Sequence, residues 1–110
     1  MKANLYQVGS THVLAVAEAM THAECAELKD LVTRAMASGS GKIALDLSEV
    51  PFMDSAVLEL LLQLSKDCAA RGGRLKLVSP SPNCQEILRL TDLRSRFDVQ
   101  SSVEEATRKA

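Results

Sequence analysis

The stretch from Lys42 to Leu64 limits the possible folds more than any other part of the chain. Its first part, Lys42 to Leu47, is short, rich in aliphatic residues, and bounded by Gly41 and the turn-like sequence SEVP. A run this short and this apolar predicts a strand in the interior of a sheet. Pro51 closes the possibility of a longer one. From Asp54 or Ser55 the pattern changes to helical spacing, with Leu58, Leu61, Leu62 and Ser65 widened by Val57, Leu60, Leu64 and Cys68 until Gly72-Gly73 ends it. So broad an apolar face predicts a deeply buried helix.

The same alternation continues on both sides. Leu5 to Val8 and His12 to Ala17 are β-compatible runs separated by Gly9-Ser10, a spacing that suits an antiparallel hairpin. Thr21 and Glu24 form a capping-box pattern ahead of Leu28, Leu31, Val32, Ala35 and Met36, which recur at helical spacing. Arg74 to Ser79 reads as another strand, and Ser81-Pro82 as the cap and first residue of a helix carrying Cys84, Ile87, Leu88 and Thr91. Phe97 to Val99 predicts a short last strand, and Ser102 with Glu105 a capping box that opens a terminal helix. Right-handed crossovers turn this order into an α/β fold: a small mixed β-sheet with helices packed on it. With 110 residues and no linker or repeat, residues 1–110 are expected to form one domain. Crossover geometry also places the strand-to-helix segment Ser48 to Ser55 on one edge of the sheet, where functional groups collect.

Composition narrows the chemistry. Thirteen Lys and Arg against fourteen Asp and Glu give a net charge of -1, which argues against wrapping a polyanion, and an aromatic content of 3% leaves little with which to stack bases. No nucleic-acid partner is expected. The three cysteines, Cys25, Cys68 and Cys84, are odd in number and lack CxxC spacing, which argues against a disulfide framework or a zinc site and fits reduced, core-packed thiols in a cytoplasmic protein. The N-terminus MKANLYQVGS has no apolar signal core, and the most apolar run, Val57 to Leu64, is much shorter than a membrane span. Neither membrane insertion nor a bound cofactor or metal is expected.

Catalytic groups are sparse. The two histidines are His12, in a strand, and His22, at a helix start, and a Ser-His-Asp arrangement would need Ser55, His22 and Asp46 or Asp54 to converge without a GxSxG elbow. The glycines end helices or begin strands and cradle no phosphate. What remains is Asp54-Ser55 at the first turn of the most apolar helix. Both residue types are preferred N-caps, and a purely structural role accounts for them on composition alone. A phosphoryl group on Ser55 is also compatible with the fold, because about -1.5 to -2 charges at a helix N-terminus meet free N–H groups and the positive end of the helix dipole. Such a charge would change the surface without melting the domain.

The sequences LDLSEVPFMDSAVLELLLQL, ARGGRLKLVSPSPNCQEILRLTDL and FDVQSSVEEA, spanning about Lys42 to Ala106, closely resemble the STAS-domain anti-anti-sigma factors, antagonists of bacterial anti-sigma factors. The most specific part is the strand ending in DLS followed by the aliphatic-Asp-Ser start of a helix. The resemblance implies a regulatory ligand with no catalytic activity. It makes Ser55 the phosphoacceptor of a partner serine kinase of the histidine-kinase-like ATPase fold, which is also the anti-sigma factor. In the implied partner switch, the unphosphorylated protein holds the kinase and frees the sigma factor, phosphorylation breaks the complex, and a metal-dependent serine phosphatase resets it. The implied contact edge comprises Glu49, Pro51, Phe52, Met53, Asp54 and Ser55, completed by Glu59 on the helix.

Two positions depart from the family pattern. Val57 stands where the family usually has glycine, putting a branched side chain near the helix start, and Ala17 to Thr21 replaces a Gly-Glu-Leu-Asp type segment. Three alternatives follow. A STAS subunit of a lipid-transport or stress-signalling complex would act by constitutive contact, and a small esterase would use Ser55 directly. A phosphoaspartate receiver would need an acidic pair after its first strand and a Lys after its last, which are not at those places.

Overall fold

The computed structural model describes residues 1–108. Its sheet is five-stranded in sequential order: β1 (Ala3–Val8), β2 (Thr11–Val16), β3 (Lys42–Asp46), β4 (Arg74–Val78) and β5 (Asp98–Gln100). β1 pairs antiparallel with β2 through the Gly9-Ser10 turn, and all other neighbours are parallel. The sheet is therefore mixed, with the antiparallel pair at one edge. Helices α1 (Cys25–Ala37), α2 (Ser55–Ala70) and α3 (Pro82–Leu90) make the crossovers, and α4 (Val103–Arg108) follows β5. Because each parallel strand is added on the same side of the last, right-handed crossovers put α1, α2 and α3 on one face. The terminal α4 covers part of the other.

The strand register sorts the side chains accordingly. Leu14, Leu45 and Leu77 lie side by side across the sheet and enter the main core with Leu28, Val32, Leu58, Leu61, Leu64 and Leu88 from the helices. Val13, Ala44 and Val78 point the other way and meet Ala106 of α4 in a smaller cluster. There the Lys76 ammonium donates to the Ala106 carbonyl at 2.8 Å, closing the end of α4. The breadth of the α2 face translates into burial of Val57, Leu58, Leu61, Leu64 and Cys68 between the sheet and α1.

Local signals match the ends of the elements. Thr21 and Glu24 make the reciprocal capping box, although it caps a 3-10 turn at His22–Glu24 that leads directly into α1. The Ser81 hydroxyl accepts from the Cys84 N–H at 3.3 Å, with Pro82 at the first helical position. At the last strand the chain departs from expectation: Phe97 lies outside β5, buried in the main core, after a 3-10 turn at Arg94–Arg96. Of the cysteines, Cys68 and Cys84 are buried, while Cys25 is only partly so, and all are free thiols. Burial pushes the Cys68 thiol up to about 11, so it is packing material and not a nucleophile at neutral pH.

Candidate functional site

The β3–α2 connection is rigid for reasons that can be followed bond by bond. Beyond β3, the Asp46 carboxylate accepts from the Ser48 N–H at 3.0 Å, and the Val50 N–H donates to the Leu47 carbonyl at 3.1 Å, forming a tight turn. Val50 is buried, and its carbonyl accepts from the Ser81 hydroxyl at 2.6 Å and the Cys84 thiol at 3.2 Å. The loop is thereby fastened to the start of α3. On its other side it is fastened to the segment before α1: the Met20 N–H donates to the Phe52 carbonyl at 3.0 Å, and the Asp54 N–H to the Met20 carbonyl at 3.2 Å. Met20 and Met53 form an isolated parallel bridge.

Asp54 completes the attachment. One carboxylate oxygen accepts from the Val57 N–H at 3.1 Å and caps α2; the other accepts from the His22 N–H at 2.8 Å, at the start of the 3-10 turn leading to α1. One side chain thus serves two helix entrances. The hydrogen bond from Val57 is the main reason its pKa lies below the usual 3.8, with the His22 and Ala56 amides and the His22 charge adding to it against a desolvation effect that raises it.

Ser55 is the first residue of α2 and is exposed. Among the described residues its hydroxyl makes no hydrogen bond. His22 meets Asp54 through its backbone amide, and no imidazole is hydrogen-bonded to Ser55, so the serine-hydrolase arrangement is not assembled. Glu49, Pro51 and Glu59 are exposed as well, and Phe52, three residues before Ser55 in the chain, is 47% exposed, a large aromatic side chain left in water.

Met53 is a correction. It was expected in the contact edge, but its side chain is only 1% exposed and belongs to the main core, because the bridge to Met20 turns it inward. Val57, which stands where the family usually has glycine, turns its branched side chain wholly into the main core. Sequence reasoning missed Met20 altogether, and it considered His22 for its imidazole and not for the backbone amide that binds Asp54. The segment from Ala17 to Thr21 carries no periodic signal that would have marked Met20.

A five-stranded sheet whose antiparallel hairpin precedes three helical crossovers, with a pinned loop presenting an exposed serine at a helix start, defines a small mixed α/β domain of one recurrent topology. The sequence profile of the STAS domain matches residues 2–106, and the chain belongs to the STAS domain family. A Thermotoga maritima protein named provisionally as an anti-sigma factor antagonist is 34% identical over 68 residues, covering 62% of this chain and 60% of that protein. The match thus spans less than two thirds of that relative's length. The crystal structure of a Thermotoga maritima protein of the same provisional name superimposes with a TM-score of 0.87 at 25% identity, covering 97% of this chain and 95% of that one. The anti-sigma factor antagonist SpoIIAA in its unphosphorylated form gives 0.75 at 23% identity, covering 94% and 91%. The Bacillus SpoIIAA in its phosphorylated form gives 0.70 at 23% identity, covering 94% and 95%. Among the described residues no helix is long and apolar enough to cross a membrane.

Proposed function

We propose that this STAS domain is an anti-sigma factor antagonist whose hold on its partner is controlled by phosphorylation of Ser55. The observation that carries this reading is the Ser55 hydroxyl itself, exposed and without a protein hydrogen bond at the first position of α2, on a loop fixed from both sides. The family's regulatory character and the names of its relatives support the role. That SpoIIAA has been solved in both phosphorylation states supports the switch.

The mechanism follows from rigidity. A loop tied to α1 and α3 does not need to be ordered on binding, so Glu49, Pro51, Phe52, Ser55 and Glu59 present a ready contact surface. Phe52 is its apolar anchor. A partner serine kinase of the histidine-kinase-like ATPase fold would transfer the γ-phosphoryl group of ATP to the Ser55 oxygen, forming the O–P bond and releasing ADP. The product keeps its fold, since a dianion at a helix N-terminus is favourably placed. Its complex, however, must now desolvate that charge in the middle of the contact surface. Hydrolysis by a serine phosphatase restores the binding form.

The test compares wild type, Ser55→Ala and Ser55→Asp as affinity baits against native-cell lysate, with the retained proteins identified by mass spectrometry. An ATPase of the histidine-kinase-like fold should be retained by wild type and Ser55→Ala and lost from Ser55→Asp, and it should label wild type but not Ser55→Ala with phosphate. All three proteins should unfold within about 0.5 kcal/mol of one another. Equal retention of one set of subunits by all baits would instead make this a constitutive adaptor, with Ser55 a helix-start residue only.

A further inference from the structure

The two edges of the sheet are treated differently. β5 is three residues long, and its Asp98 carboxylate pairs with Arg74 at 3.2 Å and accepts from the Gln100 amide at 2.6 Å. A short strand carrying charge is how proteins keep an edge from recruiting another. β1, at the opposite edge, is six residues long, all exposed, and has neither a charge nor a proline. Three of the five large apolar side chains exposed among the described residues lie on it: Leu5 at 41%, Tyr6 at 38% and Val8 at 37%.

The hydrogen-bond phase of β1 fixes what its free edge can accept. The Ala17 N–H donates to the Lys2 carbonyl at 2.9 Å, and the register continues from Ala3 opposite Val16 to Val8 opposite Thr11. In an antiparallel ladder bonded pairs alternate, so Asn4, Tyr6 and Val8 turn their backbone groups toward β2, as the two-residue turn at Gly9-Ser10 also requires. Ala3, Leu5 and Gln7 therefore turn their N–H and C=O groups outward.

We infer that β1 pairs antiparallel with β1 of a second copy of this chain, across a two-fold axis at Leu5, to give a continuous ten-stranded sheet. With the axis there, Leu5 exchanges both hydrogen bonds with its counterpart, and Ala3 pairs with Gln7 in each direction. The Leu5 side chains meet on the face that carries α1 to α3, and each Tyr6 lies against the other copy's Asn4 on the α4 face. No like charges are brought into direct opposition, since the paired segment is uncharged. A single strand pair buries less than a standard interface, so the dimer is weak, with a dissociation constant of roughly 10 µM to 1 mM. Lys2, Ala3 and Asn4 at the start of β1 line a hollow together with Ser48 and Glu49, so the paired edge borders one end of the loop that carries Ser55.

The test is sedimentation equilibrium of wild type and two variants over that concentration range. Leu5→Pro removes an outward N–H without touching the β2 ladder, a position where an edge strand tolerates proline. Leu5→Lys sets two ammonium groups opposite each other. Circular dichroism and thermal unfolding confirm that both stay folded. Wild type should approach twice the 11.9 kDa monomer mass while both variants stay monomeric. A wild type that is monomeric throughout, or variants that dimerise equally, overturns the inference. So does a monomer that loses its anti-sigma partner on Leu5→Pro, which would assign the edge to that partner instead.

Discussion

At the N-terminal ends of the parallel strands, backbone meets backbone. At the C-terminal ends a loop fastened through its backbone buries Val50 and Met53 and shows the side chains of Ser48, Glu49, Pro51, Phe52 and Ser55 to water. The first region has no tolerance: a Cβ built on Gly73 would lie 2.2 Å from the Gly41 carbonyl carbon and 2.3 Å from its oxygen, where β3 and β4 begin. The second holds its shape through hydrogen bonds to backbone carbonyls at Val50, Phe52 and Met20, which place no demand on most of the loop's side chains. The difference teaches where this fold keeps its freedom to vary for recognition. Packing defines one end, and backbone bonding leaves the other end's side chains available. Gly73→Ala should accordingly be the most damaging single change, costing about 4 kcal/mol or more, because neither glycine backbone can move without shifting a strand. Urea unfolding measures it. A loss under about 1 kcal/mol would show that the strand starts can separate, and would erase the contrast.

Met53→Ala probes the exception within the loop. Met53 is buried in the main core, so truncation should cost about 2–3 kcal/mol in the same assay. An effect near zero would mean that the loop does not depend on its inward-facing residue.

Asp54 comes next, because it caps α2 and ties the loop to the start of α1 at once. Asp54→Ala should cost about 1–2 kcal/mol. Asp54→Asn keeps an acceptor and isolates the part due to charge. The folded state holds this carboxyl below the unfolded value of 3.8, so its ionic contribution is present above that pH and is lost as the pH falls through the folded value. The stability gap between wild type and Asp54→Asn should therefore be constant at neutral pH and close below about pH 3.8. Chemical denaturation across pH 2 to 7 reads this directly, and a gap that persists under acid would place the effect elsewhere.

Much of this architecture was legible because its signals are local. Thr21 with Glu24, Asp54 ahead of Leu58, and Ser81-Pro82 each announce a helix entrance within four residues, and the α/β order follows from them. The place of Ser55 at the start of α2 was legible for the same reason. What escaped is long-range. The burial of Met53 depends on a bridge to Met20 across 33 residues of sequence, and no spacing rule in either segment records it. Phe97 read as the start of a strand because it is apolar and alternates with Val99 across Asp98, yet it packs inward one residue before pairing begins.

Phe52 gives the smallest effect on the fold and the sharpest form of the comparison, since it is the chain neighbour of Met53. Its side chain is 47% exposed, while its carbonyl holds Met20, a bond that any residue at this position can make. Phe52→Ala should therefore unfold within about 0.5 kcal/mol of wild type. If the loop is the partner surface, the same change removes an aromatic anchor and should weaken partner binding by about 1 kcal/mol or more, a fivefold loss or greater by calorimetry. The neighbouring variants then separate cleanly: Met53→Ala loses stability with the partner site intact in the folded fraction, whereas Phe52→Ala keeps stability and loses affinity. Affinity unchanged in Phe52→Ala would move the contact surface away from this loop, whatever happens at Ser55.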